Sequence, residues 1–132
     1  MNIPPEGRRK EKHMEYDEIV SMLEEADLPV AYDHFAEGES PDPPFLVFLF
    51  PASNNFKADG IVYQKAQELH IELYTDKKDP PLEKRIEDIL DSHEIVYEKS
   101  EVWIESEKMY EVLYRTELFM KEAAGAAEGG LA

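Results

Sequence analysis

A strand followed at once by a capped helix, in residues 69–90, constrains the fold of this chain more than any other feature. Leu69, Ile71 and Leu73 alternate with polar residues, a pattern that predicts a strand with one apolar face. Asp79 stands at the N-cap position of the segment that follows, and the two prolines after it suit a first helical turn. Apolar residues then recur at helical spacing: Leu82, Ile86, Ile89 and Leu90. We therefore expect this helix to cover the apolar face of the strand.

Segments earlier in the chain predict a second helix and two further strands. In MEYDEIVSMLEEADLPV, residues 14–30, apolar residues at helical spacing predict a helix that ends near Asp27. The run FLVFLF, residues 45–50, is typical of a buried strand. Residues 61–64 predict a short strand after a polar loop.

The segments after the second helix predict a hairpin. Apolar residues alternate in residues 95–104 and again in residues 110–118, and residues 106–108 suit the turn between them. This order of elements predicts an α+β fold. In that fold, two helices pack on one face of a mainly antiparallel sheet of four to five strands.

The two ends of the chain differ in composition from the middle. Residues 1–13 hold four basic and two acidic side chains and no apolar run, which predicts a disordered leader. Residues 121–132 are rich in Gly and Ala and predict a flexible C-terminal tail. The codons AAG GAG can encode Lys10 and Glu11, and this nucleotide sequence is also a ribosome-binding sequence. It would lie two codons before Met14. We therefore hypothesise that Met14 is the physiological start, that residues 1–13 are translated upstream sequence, and that a single α+β domain covers residues 14–120.

Net charge limits the classes of partner. The chain has 30 acidic and 14 basic side chains, which gives a net charge of −16. Such a surface repels phosphate backbones, because affinity for nucleic acids comes mainly from Lys and Arg. We therefore expect no specific binding of nucleic acid. The longest apolar run, residues 45–50, is far shorter than the roughly 20 residues of a membrane-spanning helix, so we expect no membrane partner either.

The residue pattern contains no set of catalytic or metal-binding groups. The histidines occur in different segments, without a spacing that would let two imidazoles share a metal ion: His13, His34, His70 and His93. No glycine-rich phosphate loop occurs, and the chain has no cysteine for thiol chemistry. Asp76 and Asp79 suit a turn and a helix cap and not an acid/base pair. We therefore predict no enzymatic activity, no metal site and no cofactor.

The predicted layers leave the second face of the sheet without cover. That face is expected to carry apolar and aromatic side chains from several strands: Leu46, Phe48 and Phe50, or the alternate residues of the same strand, together with Tyr74, Trp103 and Leu113. A contiguous exposed apolar patch usually marks a partner surface, and aromatic residues are enriched at interface cores. We therefore predict a subunit interface there. The alternative is that the long loop of residues 32–44 folds over the patch.

Three segments carry a resemblance to a known family: YDEIVSMLEEADLPVAYDHFAEGESPDPPFLVFLFP, LHIELYTDKKDPPLEKRIEDIL and EIVYEKSEVWIESEKMYEVLYRTELF. They resemble the tail terminator family, also called tail-completion or head-tail joining proteins, of long-tailed phages and prophages of Gram-positive bacteria. The similarity covers residues 14–119. It lies in the pattern of elements and not in a chemical motif.

The resemblance implies a non-enzymatic virion assembly protein with an α+β fold. Proteins of this family cap the tail tube as a ring, expected to be a hexamer, and form part of the head-tail joint. The implied partners are further copies of the chain, the tail tube protein and the head-connector proteins, with DNA able to pass through the ring. The implied location is the bacterial host cytoplasm during assembly and then the virion neck or tail. The family supplies no catalytic residues.

Two other functions fit the same sequence. An acidic prophage protein can mimic DNA, or otherwise bind a host protein, by occupying the basic groove of a nuclease or regulator. The acidic residues of this chain, however, are spread over predicted helix faces, turns and tails. The second alternative is another neck or tail-assembly component of similar fold. Rings in electron micrographs favour the terminator, whereas a monomer that inhibits a DNA-binding enzyme favours mimicry.

Overall fold

A computed structural model of the protein describes residues 13–53, 56–58, 61–64 and 66–120. The helices in this part are α1 (Tyr16–Glu24) and α2 (Pro80–Ser92). The strands are β1 (His13–Met14), β2 (Val30–Tyr32), β3 (Phe45–Ser53), β4 (Phe56–Ala58), β5 (Ile61–Gln64), β6 (Ala66–Thr75), β7 (Glu98–Ile104) and β8 (Met109–Met120).

Both predicted helices are present, and local hydrogen bonds explain where they begin. Asp79 Oδ1 accepts a hydrogen bond from the Leu82 backbone N–H at 3.1 Å, and Pro80 opens α2, which confirms the predicted cap. At the start of α1, the Glu15 backbone N–H donates to Glu18 Oε1 at 2.7 Å. Neither helix of the described part has the length and the apolar content to cross a bilayer.

Six strands form one mixed sheet, in the order β1-β8-β6-β3-β2, with β7 also paired to β8. The pairs β3–β6, β6–β8 and β7–β8 are antiparallel, whereas β1–β8 and β2–β3 are parallel. Strands β4 and β5 form a separate antiparallel pair. The α+β class is confirmed. The sheet has six strands where four to five were expected, and the two short parallel pairs make it mixed and not purely antiparallel. The difference arises because β1 and β2, of two and three residues, are too short to show alternation in the sequence.

Strand β1 lies where the predicted leader ends. His13 pairs with Phe119, and their rings lie 5.6 Å apart between centroids. The predicted boundary at Met14 therefore falls inside a strand. The remainder of the predicted leader, residues 1–12, and the predicted tail, residues 121–132, lie outside the described residues.

One hydrophobic cluster joins the helices to the sheet. The helices contribute Ile19, Met22, Leu23, Leu82, Ile86 and Leu90. The three central strands contribute alternate residues, namely Leu46, Phe48, Leu69, Ile71, Leu73, Val112, Tyr114 and Leu118. We call the side of the sheet that carries these strand residues the cluster face and its reverse the outer face. Burying each Leu or Ile stabilises the fold by roughly 1.5–3 kcal/mol. Because residues 69, 71 and 73 all belong to the cluster, the alternation predicted for this strand is confirmed.

Candidate interaction surfaces

The six predicted interface residues do not lie on one surface. Leu46 and Phe48 are buried in the hydrophobic cluster, with 0% and 1% exposure, and Phe50 packs against it. Strand register explains their position, because Leu46 pairs with Leu73 and Phe48 pairs with Ile71. The expectation that these side chains lie on the uncovered face is therefore corrected.

The other three predicted residues fall into two groups. Tyr74 and Leu113 lie on the outer face, in β6 and β8, and both are partly buried. Trp103 lies in β7, where it is 40% exposed. Because Trp103 pairs with Tyr110, alternation places it on the same side as the hydrophobic cluster. Only Tyr74 and Leu113 thus share a face as predicted.

A polar network occupies the middle of the outer face. The Tyr74 hydroxyl donates to Glu72 Oε1 at 2.8 Å and lies 3.4 Å from Glu111 Oε2. Burial raises the pKa of Glu72, the Tyr74 hydrogen bond lowers it, and the neighbouring Glu111 raises it, so that the pKa is raised overall. His70 Nε2 lies 2.8 Å from Glu68 Oε1 on the same face. A partner that covered this face would have to accommodate several charges.

The loop between β2 and β3 covers one corner of the outer face. The Phe35 ring meets Phe45 edge to face, with ring centroids 5.3 Å apart. Phe45 in turn stacks on Tyr74 at 5.1 Å and is only 6% exposed. The alternative that the loop of residues 32–44 covers the face is confirmed at this corner.

Aromatic side chains gather at the edge strand β2. Tyr32 meets Phe48 edge to face at 5.2 Å between ring centroids, and Tyr16 lies 6.1 Å from Tyr32. The Phe50 backbone N–H donates to the Tyr32 hydroxyl at 3.1 Å. Both tyrosines line a groove of about 450 Å³ between α1 and β2. Tyr16 and Tyr32 are 46% and 40% exposed, and together with β2 they form what we call the β2 end of the sheet.

The opposite edge of the sheet exposes a second apolar group. Val102 in β7 is 52% exposed, next to the exposed Trp103. The Trp103 ring packs on Tyr110 with 4.8 Å between centroids, and its Nε1–H donates to Glu105 Oε1 at 2.8 Å. Among the described strands, β7 pairs with β8 alone, so its other edge is left for a further strand. We call β7, together with Val96 just before it, the β7 end.

Buried charges hold β7 against α2. Glu83 is 3% exposed, and its carboxylate accepts hydrogen bonds from Lys78 at 2.6 Å and Lys99 at 2.9 Å. Burial alone would raise the pKa of Glu83, but the two lysine hydrogen bonds outweigh it and the pKa is lowered. Lys99 also bonds Glu87 at 2.6 Å, and the Tyr114 hydroxyl donates to Glu87 at 2.9 Å. The β7 end is therefore anchored to the domain by side chains as well as by its strand ladder.

Histidines and carboxylates form only small groups in the described residues. No three His, Asp or Glu side chains there are placed to hold a metal ion. His34 Nδ1 lies 2.9 Å from its neighbour Asp33, and His93 Nε2 lies 2.8 Å from Glu25. Neither pair has a nucleophile within the hydrogen bonds described for it.

The exposed residues Tyr16, Tyr32 and Val102 are absent from the predicted interface. Tyr32 lies in a three-residue strand whose pairing depends on tertiary placement, and Tyr16 opens a helix whose apolar stripe lies elsewhere. Val102 could have been predicted from the sequence as an interface residue, because the run Val-Trp-Ile puts apolar side chains on both sides of a strand. That pattern is typical of a strand that meets neighbours on both faces.

Comparison with known proteins assigns no family to the chain. A scan against protein-family models found no match, and no curated protein matches the sequence. The resemblance to tail terminators therefore rests on the three sequence segments, and the candidate surfaces rest on their geometry.

Proposed function

We propose that the chain is a non-enzymatic virion assembly protein, a tail terminator that caps the tail tube as a closed ring and forms part of the head-tail joint. One observation carries this proposal. The large hydrophobic side chains exposed in the described residues all lie at the two ends of the sheet: Tyr16, Tyr32, Val96, Val102 and Trp103. Exposed apolar and aromatic groups concentrated in this way mark surfaces of association.

Two different surfaces at opposite ends suit a heterologous contact between copies. The β7 end of one copy meets the β2 end of the next, and a repeated rotation closes the ring. Tyr32 and Trp103 both lie on the cluster-face side of their strands, so a sheet continued from one copy into the next brings them side by side. Strand edges at both ends add backbone groups for pairing. We also propose that both helices pack on the cluster face, which the side chains that both contribute to the hydrophobic cluster support.

The charge of the chain supports the passage of DNA through such a ring. Residues 1–13 carry +2, so the remaining residues carry −18. A strongly acidic wall repels the duplex and prevents it from adhering while it slides. The partners of the ring are the tail tube protein on one side and the head-connector proteins on the other.

The experiment is a mass measurement by light scattering at high protein concentration, with negative-stain imaging, in the absence and presence of tail tubes. We expect rings of the wild-type chain, and their loss in Trp103→Ser and in Tyr32→Ser. Leu113→Ser, on the partly buried outer face, is the matched control and should keep the ring.

The opposite pattern would contradict the proposal. Rings that survive Trp103→Ser but dissociate in Leu113→Ser would move the contact to the outer face. A wild-type chain that stays monomeric, ignores tail tubes and inhibits a DNA-binding enzyme would support DNA mimicry instead.

A further inference from the structure

The two end strands of the sheet run in opposite directions. Strand β2 is parallel to β3, β3 and β8 each run antiparallel to β6, and β7 is antiparallel to β8. Strand β3 therefore has the direction of β8, and β2 has the direction opposite to that of β7. A second copy of the chain that continues the sheet in the same orientation consequently places its β7 antiparallel to β2 of the first copy.

Backbone groups at the free edge of β2 are arranged for such a strand. Hydrogen bonds join β3 to the Pro29 carbonyl at 2.9 Å and to the Asp33 N–H at 2.7 Å. Backbone groups alternate in direction along a strand, so the odd-numbered residues here bond toward β3, whereas Val30 and Tyr32 are directed to the opposite edge. Since the Tyr32 carbonyl accepts a hydrogen bond from the His34 N–H at 2.6 Å, Val30 is the residue of β2 best placed to exchange two hydrogen bonds with a neighbouring strand.

We propose that β7 of a second copy pairs antiparallel with β2, with Val102 opposite Ala31 and Trp103 opposite Val30. This inference rests on the proposed ring, and two conditions select the register. Side chains on the cluster-face side of one strand must lie opposite those on the same side of the other. The two exposed apolar residues of β7 must both lie opposite the three residues of β2. A shift of one residue breaks the first condition, and a shift of two residues breaks the second.

The same register directs the Trp103 indole at the groove between α1 and β2. Trp103 and Val30 both lie on the cluster-face side of their strands. The groove, of about 450 Å³, is lined by Val30 itself and by the rings of Tyr16 in α1 and Phe48 in β3. In its own chain the indole packs on Tyr110 and stays 40% exposed. The groove of the next copy covers this exposed part, and its apolar and aromatic lining suits an aromatic occupant.

Disulfide trapping between single-cysteine variants tests the direction and the register, since the chain has no cysteine of its own. Ala31 and Val102 form a non-hydrogen-bonded pair in this register, with Cα atoms about 4.5 Å apart, a distance that a disulfide spans. An oxidised mixture of Ala31→Cys and Val102→Cys should therefore contain a disulfide-linked dimer. A mixture of Pro29→Cys and Ile104→Cys, two residues further along both strands, should give the same product. Pro29→Cys with Ser100→Cys is the matched control and should not link, because these residues come opposite each other only in parallel strands.

The mixtures are oxidised under the conditions in which light scattering shows rings of the wild-type chain. Each molecule carries one cysteine, so every disulfide joins two copies. Rings in which neither expected pair links, in which the control pair links instead, or in which each variant links chiefly to itself would overturn this inference and leave the proposed ring in place. A wild-type chain that forms no ring, with or without tail tubes, would overturn both.

Discussion

Glu83→Gln tests whether a buried charge anchors the β7 end. The substitution keeps the shape of the side chain and removes the anion that Lys78 and Lys99 share. The matched control is Asp88→Asn on the same helix. The Asp88 carboxylate is 60% exposed and pairs with Lys84 at 3.0 Å, so it has the same chemistry without the burial.

The expected loss of unfolding free energy follows from the burial of Glu83 and the partial exposure of its two lysine partners. A hydrogen bond to a charged group contributes about 1.5–3 kcal/mol, and breaking a buried ion pair costs about 3–5 kcal/mol. Lys78 and Lys99 are 41% and 37% exposed, so water compensates part of their loss. We expect Glu83→Gln to lower the free energy of unfolding by about 2 kcal/mol, or roughly 8 °C in Tm. Asp88→Asn should lower it by about 0.4 kcal/mol.

The effect of Glu83→Gln should depend on pH in one direction. The folded protein lowers the pKa of Glu83 below its ordinary value of 4.5. The carboxylate therefore stabilises the fold fully above pH 4.5, and this stabilisation is lost as the pH falls through the lowered pKa. The difference in unfolding free energy between wild type and Glu83→Gln should stay constant from pH 7 to 5 and narrow at more acidic pH.

Urea unfolding followed by Trp103 fluorescence is the assay, at a protein concentration where the chain is monomeric. Trp103 is the only tryptophan of the sequence and lies in β7, so its signal reports on the strand in question. Equal losses for Glu83→Gln and Asp88→Asn would refute the reasoning. A difference that does not change with pH would refute it as well.

Three further substitutions test other parts of the fold by the same unfolding assay. Burial and the neighbouring Glu111 raise the pKa of Glu72 in the folded state, so ionisation of this carboxyl destabilises the fold as the pH rises; we expect Glu72→Gln to gain roughly 0.5 kcal/mol at pH 7, a gain that shrinks as the pH falls through the raised pKa and is absent below pH 4.5. Asp79→Ala removes the α2 cap and should cost about 1 kcal/mol, whereas the exposed Asp76→Ala should cost less than about 0.5 kcal/mol. Ile71→Ala opens a cavity in the cluster and should cost about 3 kcal/mol, and a loss below about 1 kcal/mol would contradict its burial.

Long segments with a clear period were predictable from the sequence. The alternation around Ile71 and the cap at Asp79 correspond to β6 and α2, because side-chain period and capping chemistry are local properties. The predicted hairpin is present as β7 and β8 for the same reason. Strand β2 was not predictable, since three residues pair with β3 only once the whole domain has folded.

The side on which a fully apolar strand presents its residues was also beyond the sequence. FLVFLF has no polar position to mark the solvent face, so either alternate set suits the cluster. In the fold, Leu46 and Phe48 enter the cluster while Phe45 and Val47 lie on the outer face, and all four are buried. The candidate interaction surfaces therefore lie at the two ends of the sheet and not on its outer face.

Mixing two edge variants tests the central claim, a contact between two different ends, most directly. Trp103→Ser impairs the β7 end and leaves the β2 end intact, and Tyr32→Ser does the reverse. Each variant alone should be monomeric, because every contact in a ring of one variant contains the impaired end. An equimolar mixture should contain a one-to-one dimer by light scattering, since one intact pair of ends remains. A mixture that stays monomeric while the wild-type chain assembles would contradict the claim.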